Sequence, residues 1–220
     1  MADDYTGAVT VGGPPDVRDL GGGLRLAKVA VGPFDNNCYF LKCAESGDVL
    51  LIDAAHSPDV LLGVLDEDRL KRIVTTHQHP DHWAALPEMV AATGAPVACH
   101  PEDAEPLPVT VTEPLNDGDT VMVGTHRLSV IHLVGHTPGS VALLYSDGDR
   151  PHLFTGDSLF PGWVGNTFGS KENFELLFHD VAHKLFDVLP DETWFYPGHG
   201  GDSTLGAERP NLGEWHERGW

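Results

Sequence analysis

The chain has 220 residues, 41% of them hydrophobic, which is enough to bury one sizeable core. Thirteen Lys and Arg stand against thirty-three Asp and Glu, and the resulting formal charge of -20 repels nucleic-acid phosphates and anionic membrane surfaces, so neither is expected as a partner. No apolar run approaches the length of a membrane span, and the acidic, Gly/Pro-rich residues 1–17 lack the basic start and apolar stretch of a signal peptide. The expectation is a cytoplasmic protein with one domain over residues 1–220, of which 1–22 form a flexible or peripheral segment.

In chain order, strands are expected at residues 24–31, 37–43 and 49–54, the last two joined by a Glu45-Ser46-Gly47-Asp48 turn, which makes a β-meander. The period then changes. Ser57-Pro58-Asp59 reads as a cap followed by Pro, leading into a helix over 60–65, and 70–76 returns as a buried strand. A helix over 84–93 stops at Gly94, followed by a short strand at 96–99. Beyond it come hairpin strands within 120–133 and at 141–146, a strand at 152–155, a helix over 172–189 and a strand at 194–196. Strands in runs, punctuated by helices, suggest two packed sheets with helices outside. The cysteines are odd in number, and Cys38 and Cys43 lie five apart on one strand and so face opposite ways, which points to core packing rather than a bridge.

The strand Ile73-Val74-Thr75-Thr76 runs directly into His77-Gln78-His79-Pro80-Asp81-His82. So many metal-competent side chains cannot all face one way on a regular strand or helix, so they belong on a loop at the strand's end, where function usually sits. Three further islands end strands in the same manner: Gly135-His136-Thr137-Pro138-Gly139-Ser140, Thr155-Gly156-Asp157-Ser158 and Tyr196-Pro197-Gly198-His199-Gly200. Five His and two Asp on strand-to-loop exits suit two divalent ions sharing a bridging carboxylate.

These islands, in order and spacing, resemble the metallo-β-lactamase superfamily, and within it the glyoxalase II-like hydrolases. The resemblance implies an α/β (α+β) fold, a four-layer αββα sandwich of two mixed sheets with the site at one edge. It also implies that His77, His79 and His136 hold one ion, that Asp81, His82 and His199 hold a second, and that Asp157 bridges them. Asp53 matches a family position and would support a ligand His from behind. A water bound at such a site has its pKa lowered to about 7, which supplies the nucleophile for an ester, thioester or lactam carbonyl. Asp81 would orient it as the catalytic residue. Zinc is the first expectation for the ions, with iron or manganese acceptable to the same ligands.

The substrate expected from the resemblance is a small acyl thioester, but the sequence departs from the family's glutathione handles. Gly162-Trp163-Val164-Gly165-Asn166 stands where those relatives carry a basic residue, and Gly200-Gly201 follows His199 where they carry a Tyr. The loop instead offers Phe160, Trp163, Asn166 and Phe168 as candidate substrate contacts. Two other uses of the same metals are a lactonase and a mononuclear-iron enzyme resembling persulfide dioxygenases. A metal-binding scaffold is the non-enzyme possibility. Elsewhere, His179 and His183 imitate a zinc-protease spacing but fall opposite the apolar stripe of their helix, and His56, His100, His126, His132, His152 and His216 have no partners at ligand spacing.

Overall fold

A computed structural model of the chain describes residues 5–148 and 150–219. The first sheet is formed by β1 (Asp16–Asp19), β2 (Leu24–Val31), β3 (Asn36–Cys43), β4 (Asp48–Ile52), β5 (Arg69–Val74), β6 (Val97–Cys99) and β7 (Glu113–Pro114), in that spatial order. The first four strands are antiparallel, as short turns require, whereas β4 to β7 run parallel. The parallel steps need crossovers, which are supplied by α1 (Pro58–Leu65) and α2 (Leu86–Thr93).

The second sheet begins with β8 (Thr120–Val123), β9 (His126–His132), β10 (Val141–Tyr145) and β11 (His152–Gly156). A small hairpin, β12 (Leu159–Phe160) with β13 (Trp163–Val164), and the helix α3 (Lys171–Asp180) come next. After them β14 (Trp194–Pro197) adds parallel to β11, and β15 (Ser203–Thr204) closes the edge. The chain then forms α4 (Leu205–Glu208) and α5 (Leu212–Arg218).

The sheets meet through Leu26, Leu41, Leu50 and Val74 from one and Val130, Leu143, Phe154 and Tyr196 from the other. The outer face of the first sheet buries Phe40, Leu51 and Ile73 against Leu61 of α1 and Leu86 and Met89 of α2. That of the second buries Leu153 and Phe195 against Phe174 and Leu177 of α3 and Trp215 of α5. The architecture is the expected four-layer αββα sandwich. Main-chain bonds tie the sheets together at one edge: the Val141 amide donates to the Thr76 carbonyl at 2.9 Å and the Asn37 amide to the Gly198 carbonyl at 2.7 Å. Among the described residues no helix is long and apolar enough to cross a membrane.

The N-terminal segment, expected to be flexible or peripheral, is peripheral only in part, with residues 10–15 exposed. Residues 1–4 lie outside the described residues, but Tyr5 and Leu20 are buried in the inter-sheet core and β1 pairs along β2. Tyr5 donates to Asp202 Oδ2 at 2.5 Å and meets Trp194 and Tyr196 edge-on. Strand β1 reads Asp-Val-Arg-Asp, without the apolar alternation that marks a strand, so its pairing is set by its neighbours. The helix expected over 172–189 is capped by Ser170, whose hydroxyl accepts from the Asn173 amide, and it changes to a wider π turn over Val181–Phe186. Cys38, Cys43 and Cys99 are free thiols in the interior.

Candidate metal centre

Strand β5 ends at Val74, two residues earlier than its apolar run suggests, because the next residues turn to serve the site. The Thr76 amide and hydroxyl both donate to the Asp53 carboxylate at 2.8 Å, and that carboxylate also meets His82 Nδ1 at 2.8 Å. Asp53 adopts φ 58 at the end of β4, a left-handed conformation that costs about 1–2 kcal/mol for a residue with a Cβ. Its three hydrogen bonds offset that cost.

The loop after β5 brings His77, His79, Asp81 and His82 to the edge where the sheets are tied. The β9–β10 turn brings His136, the end of β11 brings Asp157 and the end of β14 brings His199. His77 lies 4.9 Å from His79 and 4.8 Å from His136 between ring centroids, and His79 lies 4.6 Å from His136. His82 Nε2 and His199 Nε2 stand 3.2 Å apart, and each faces Asp81 Oδ2, at 3.6 and 3.4 Å. Asp157 lies between the two sets: Oδ1 is 3.4 Å from His82 Nε2, while Oδ2 is 3.8 Å from His136 Nε2 and 3.5 Å from His199 Nε2. All seven candidate ligands converge in one place.

Bonds of 2.0–2.1 Å to a tetrahedral ion place neighbouring donor atoms about 3.3 Å apart, so several of these spacings already match a coordination shell. The Nδ1 side of the rings is occupied: Thr76 Oγ1 lies 3.0 Å from His77, the Asn166 carbonyl 2.8 Å from His136 and the Phe34 carbonyl 2.8 Å from His199, beside the Asp53–His82 bond. Each such partner turns Nε2 toward the centre, the arrangement that orients imidazoles toward a metal. The buried atoms His77 Nε2, His136 Nε2 and Asp157 Oδ1 have no hydrogen-bond partner among the described residues. Orphaned buried polar atoms are costly, and a cation would satisfy all three. The residues present therefore fit a pair of divalent ions, with His77, His79 and His136 able to hold one and Asp81, His82 and His199 the other.

The electrostatics agree. Burial would raise the Asp157 carboxyl, but the imidazoles of His82 and His199 beside it hold it well below the usual carboxylate range. Burial would lower His82, but Asp157 and Asp53 outweigh it and push the imidazole well above its usual value. His199, with burial opposed by Asp157 and Asp81, rises to about 9. Burial, aided by His82, keeps His77 well below. Buried carboxylates and imidazoles at this density shift one another, and such a cluster of shifted groups marks a candidate functional site.

A cavity of about 650 Å³ opens over the cluster, lined by His79, Asp81, His136, Asp157 and His199 together with Phe34, Pro80, Asn166 and Phe168. Asn166 and Phe168, two of the four candidate substrate contacts, line this cavity. Phe160 and Trp163 do not. Their segment folds back as the β12–β13 hairpin and is pinned at Gly162, whose amide donates to Glu208 Oε2 and whose carbonyl accepts from Arg218, so Trp163 packs on Phe160 and Phe160 on His199. Phe34 takes the place expected of them.

Two residues that sequence reasoning missed also act here. Asn36 is buried and donates from Nδ2 to Asp81 Oδ2 at 2.9 Å. Asp103 accepts from the Gln78 amide at 3.0 Å, the Thr137 hydroxyl at 2.5 Å and the Gly139 amide at 2.8 Å, which locks the His77–His79 loop to the His136 loop. Both contacts join segments far apart in sequence, and neither residue sits in a motif. His100 and His132, expected to be isolated, stack at 4.0 Å with planes 18° apart, near the exposed Glu102. An ion bonds an imidazole in the ring plane, so two nearly parallel stacked rings cannot both aim at it. His179 and His183 are exposed as expected and stack on each other.

The profile described as the metallo-beta-lactamase superfamily matches residues 31–201. An uncharacterized protein of Mycobacterium leprae is 33% identical over 200 residues, covering 79% of this chain and 90% of that protein. A hydroxyacylglutathione hydrolase of Fuscovulum blasticum is 36% identical over 167 residues, 75% of this chain but 62% of the enzyme's length. Among solved structures, one in a di-iron-bound form superposes with a TM-score of 0.72 at 32% identity, covering 83% of this chain and 96% of that one. A B3 metallo-beta-lactamase gives 0.75 at 26% identity, covering 84% and 96%.

Proposed function

This chain belongs to the metallo-β-lactamase superfamily, and from that premise we propose that it is a cytoplasmic hydrolase of small acyl thioesters working at a two-metal centre. The observation that carries the proposal is the convergence of His77, His79, Asp81, His82, His136, Asp157 and His199, with rings turned by their outer partners so that Nε2 faces inward. Similarity to hydroxyacylglutathione hydrolases supports the thioester class. Zinc is the first candidate metal, and the relative in a di-iron-bound form supports iron as the second.

Two divalent ions bound here would supply Lewis acidity toward a carbonyl oxygen and hydroxide at neutral pH. The chain's own groups do the rest. Asp157 reaches both ligand sets and keeps them in register, while Asp81, steadied by Asn36, faces the cavity and can accept a hydrogen bond from a reacting water. Water adds across the carbonyl carbon–sulfur bond: oxygen bonds to carbon, the broken bond's electron pair leaves on sulfur, and the products are a carboxylate, a thiol and a proton. A thiolate is a good leaving group at neutral pH, so no general acid is required beside it.

The test is a panel of acyl-thiol and lactone substrates, run with and without chelator, with metal content and oxygen uptake measured on the same preparation. Thioester cleavage that chelator abolishes and metal restores is expected. Lactone cleavage alone, or oxygen uptake, would replace this function by a lactonase or an oxygenase.

A further inference from the structure

The rim of the cavity over the metal cluster is made of side chains that carry no positive charge. Phe34 and Phe168 line it while remaining 66% and 68% exposed, with Pro80 and Asn166 beside them. Large aromatic groups left open to solvent at a cavity mouth point to a ligand that covers them.

The backbone commits to this presentation. Phe168 sits at φ 56, a left-handed conformation that costs a bulky residue about 1–2 kcal/mol. Its amide is held by Asn166 Oδ1 at 2.7 Å, and its ring meets His79 at 5.5 Å and His136 at 5.8 Å. Phe34 is fixed through its carbonyl, which accepts from His199 Nδ1.

Charge is distributed in the opposite way to that of a site for an anionic ligand. Of the thirteen Lys and Arg, none lines the cavity. Lys28, Lys42, Arg72, Lys184 and Arg209 are in ion pairs elsewhere, with Asp202, Asp68, Glu113, Asp180 and Asp191. The carboxylates in the lining are Asp81 and Asp157, which two divalent ions at the floor would more than neutralise, so the rim itself offers an anion no positive side chain while the chain as a whole carries a formal charge of -20.

Resting on the hydrolase function above, we propose that the thiol carrier of the substrate is uncharged, and that carriers bearing several carboxylates or phosphates are excluded by this rim. An anionic carrier would approach a chain of negative formal charge and find no Lys or Arg among the lining residues to meet it at the rim, which raises KM and slows encounter. An uncharged carrier lies against Phe34 and Phe168 at no such cost. The reaction balances as before: water and the thioester give the carboxylate, the free uncharged thiol and a proton.

One acyl group is placed on N-acetylcysteamine, on glutathione and on coenzyme A, and kcat/KM is measured with the metal-loaded protein at low and high salt. The expected result is about tenfold or more in favour of the uncharged carrier, carried mainly in KM and shrinking as salt screens the field. The variant Phe168→Lys, at an exposed position where folding is checked by thermal melting, should move the preference toward glutathione by about fivefold or more, whereas Phe168→Gln should not. Equal or faster turnover of the glutathione or coenzyme A thioester by the unaltered protein overturns the uncharged-carrier assignment and leaves the thioesterase standing. Failure to cleave any of the three overturns both.

Discussion

Asp53 Oδ2 and His82 Nδ1 lie 2.8 Å apart, both shut off from solvent, one at the end of β4 and the other on the loop after β5. The same carboxylate receives the Thr76 amide and hydroxyl, so a single side chain fixes both the start of the ligand loop and the direction of its last imidazole. Asp53→Asn leaves the fold in place but offers His82 a weaker and differently polarised partner. Metal affinity at the Asp81, His82, His199 set should fall by about 10–100-fold, measured by competition with a chromophoric chelator. Unchanged affinity would remove Asp53 from the site.

Metal uptake should release protons. His82 stands well above its usual pKa under the influence of Asp157 and Asp53, against burial, and His199 reaches about 9 beside Asp157 and Asp81. A ligand must lose its proton before it binds a cation, so the apparent affinity of the metal-free protein should rise with pH from neutrality toward 9. Calorimetric titrations in buffers of different ionisation enthalpy should give different heats. Heats independent of buffer would count against these two imidazoles as ligands.

Gly198→Ala is expected to destroy the centre. A Cβ at that position would lie 2.1 Å from Asp157 Oδ1 and 2.7 Å from His82 Cε1, distances no side chain occupies, and His82 is held in place by Asp53. Loss of bound metal with secondary structure retained should appear together in metal analysis and circular dichroism.

His152 offers a stability prediction away from the ligands. It is buried against the Tyr196 hydroxyl at 2.8 Å, and burial, with Arg18 and Arg150, depresses its pKa to about 3. The unfolded chain binds this proton below about 6.5 while the native state refuses it until about 3, so stability is complete above 6.5 and is lost as pH falls through that window. The slope from this group alone is about 1.4 kcal/mol per pH unit. Urea midpoints of His152→Gln should fall less between pH 7 and 5 than those of the unaltered chain, by about 2 kcal/mol in stability.

Much of this was legible in the sequence because it is local. The apolar runs of β2 to β4 with the Glu45-Ser46-Gly47-Asp48 turn between the last two, the Gly94 stop of α2 and the island His77 to His82 each carry their own signature over a few residues. Strand β1 carries none, since its four residues are shaped by β2 beside them, and the C-terminal helices α4 and α5 are short segments settled by packing of their Leu205 and Trp215 in the cluster that holds Phe186. The ligand residues were readable as types at strand ends. Asn36, Asp103 and Phe34 were not, because their roles depend on contacts across 45, 25 and 165 positions that no spacing rule covers. The aromatic loop misled in part: Phe168 faces the cavity, but the pin at Gly162 turns Trp163 away from it.

The two amide-to-carbonyl links that join the sheets, Val141 to Thr76 and Asn37 to Gly198, are made by the polypeptide alone. A socket braced by main chain in this way asks no ordering of an arriving cation and leaves it little to reshape. In so firm a socket the fixed positions of the donors, together with the supply of ions, would decide which divalent cation is taken up.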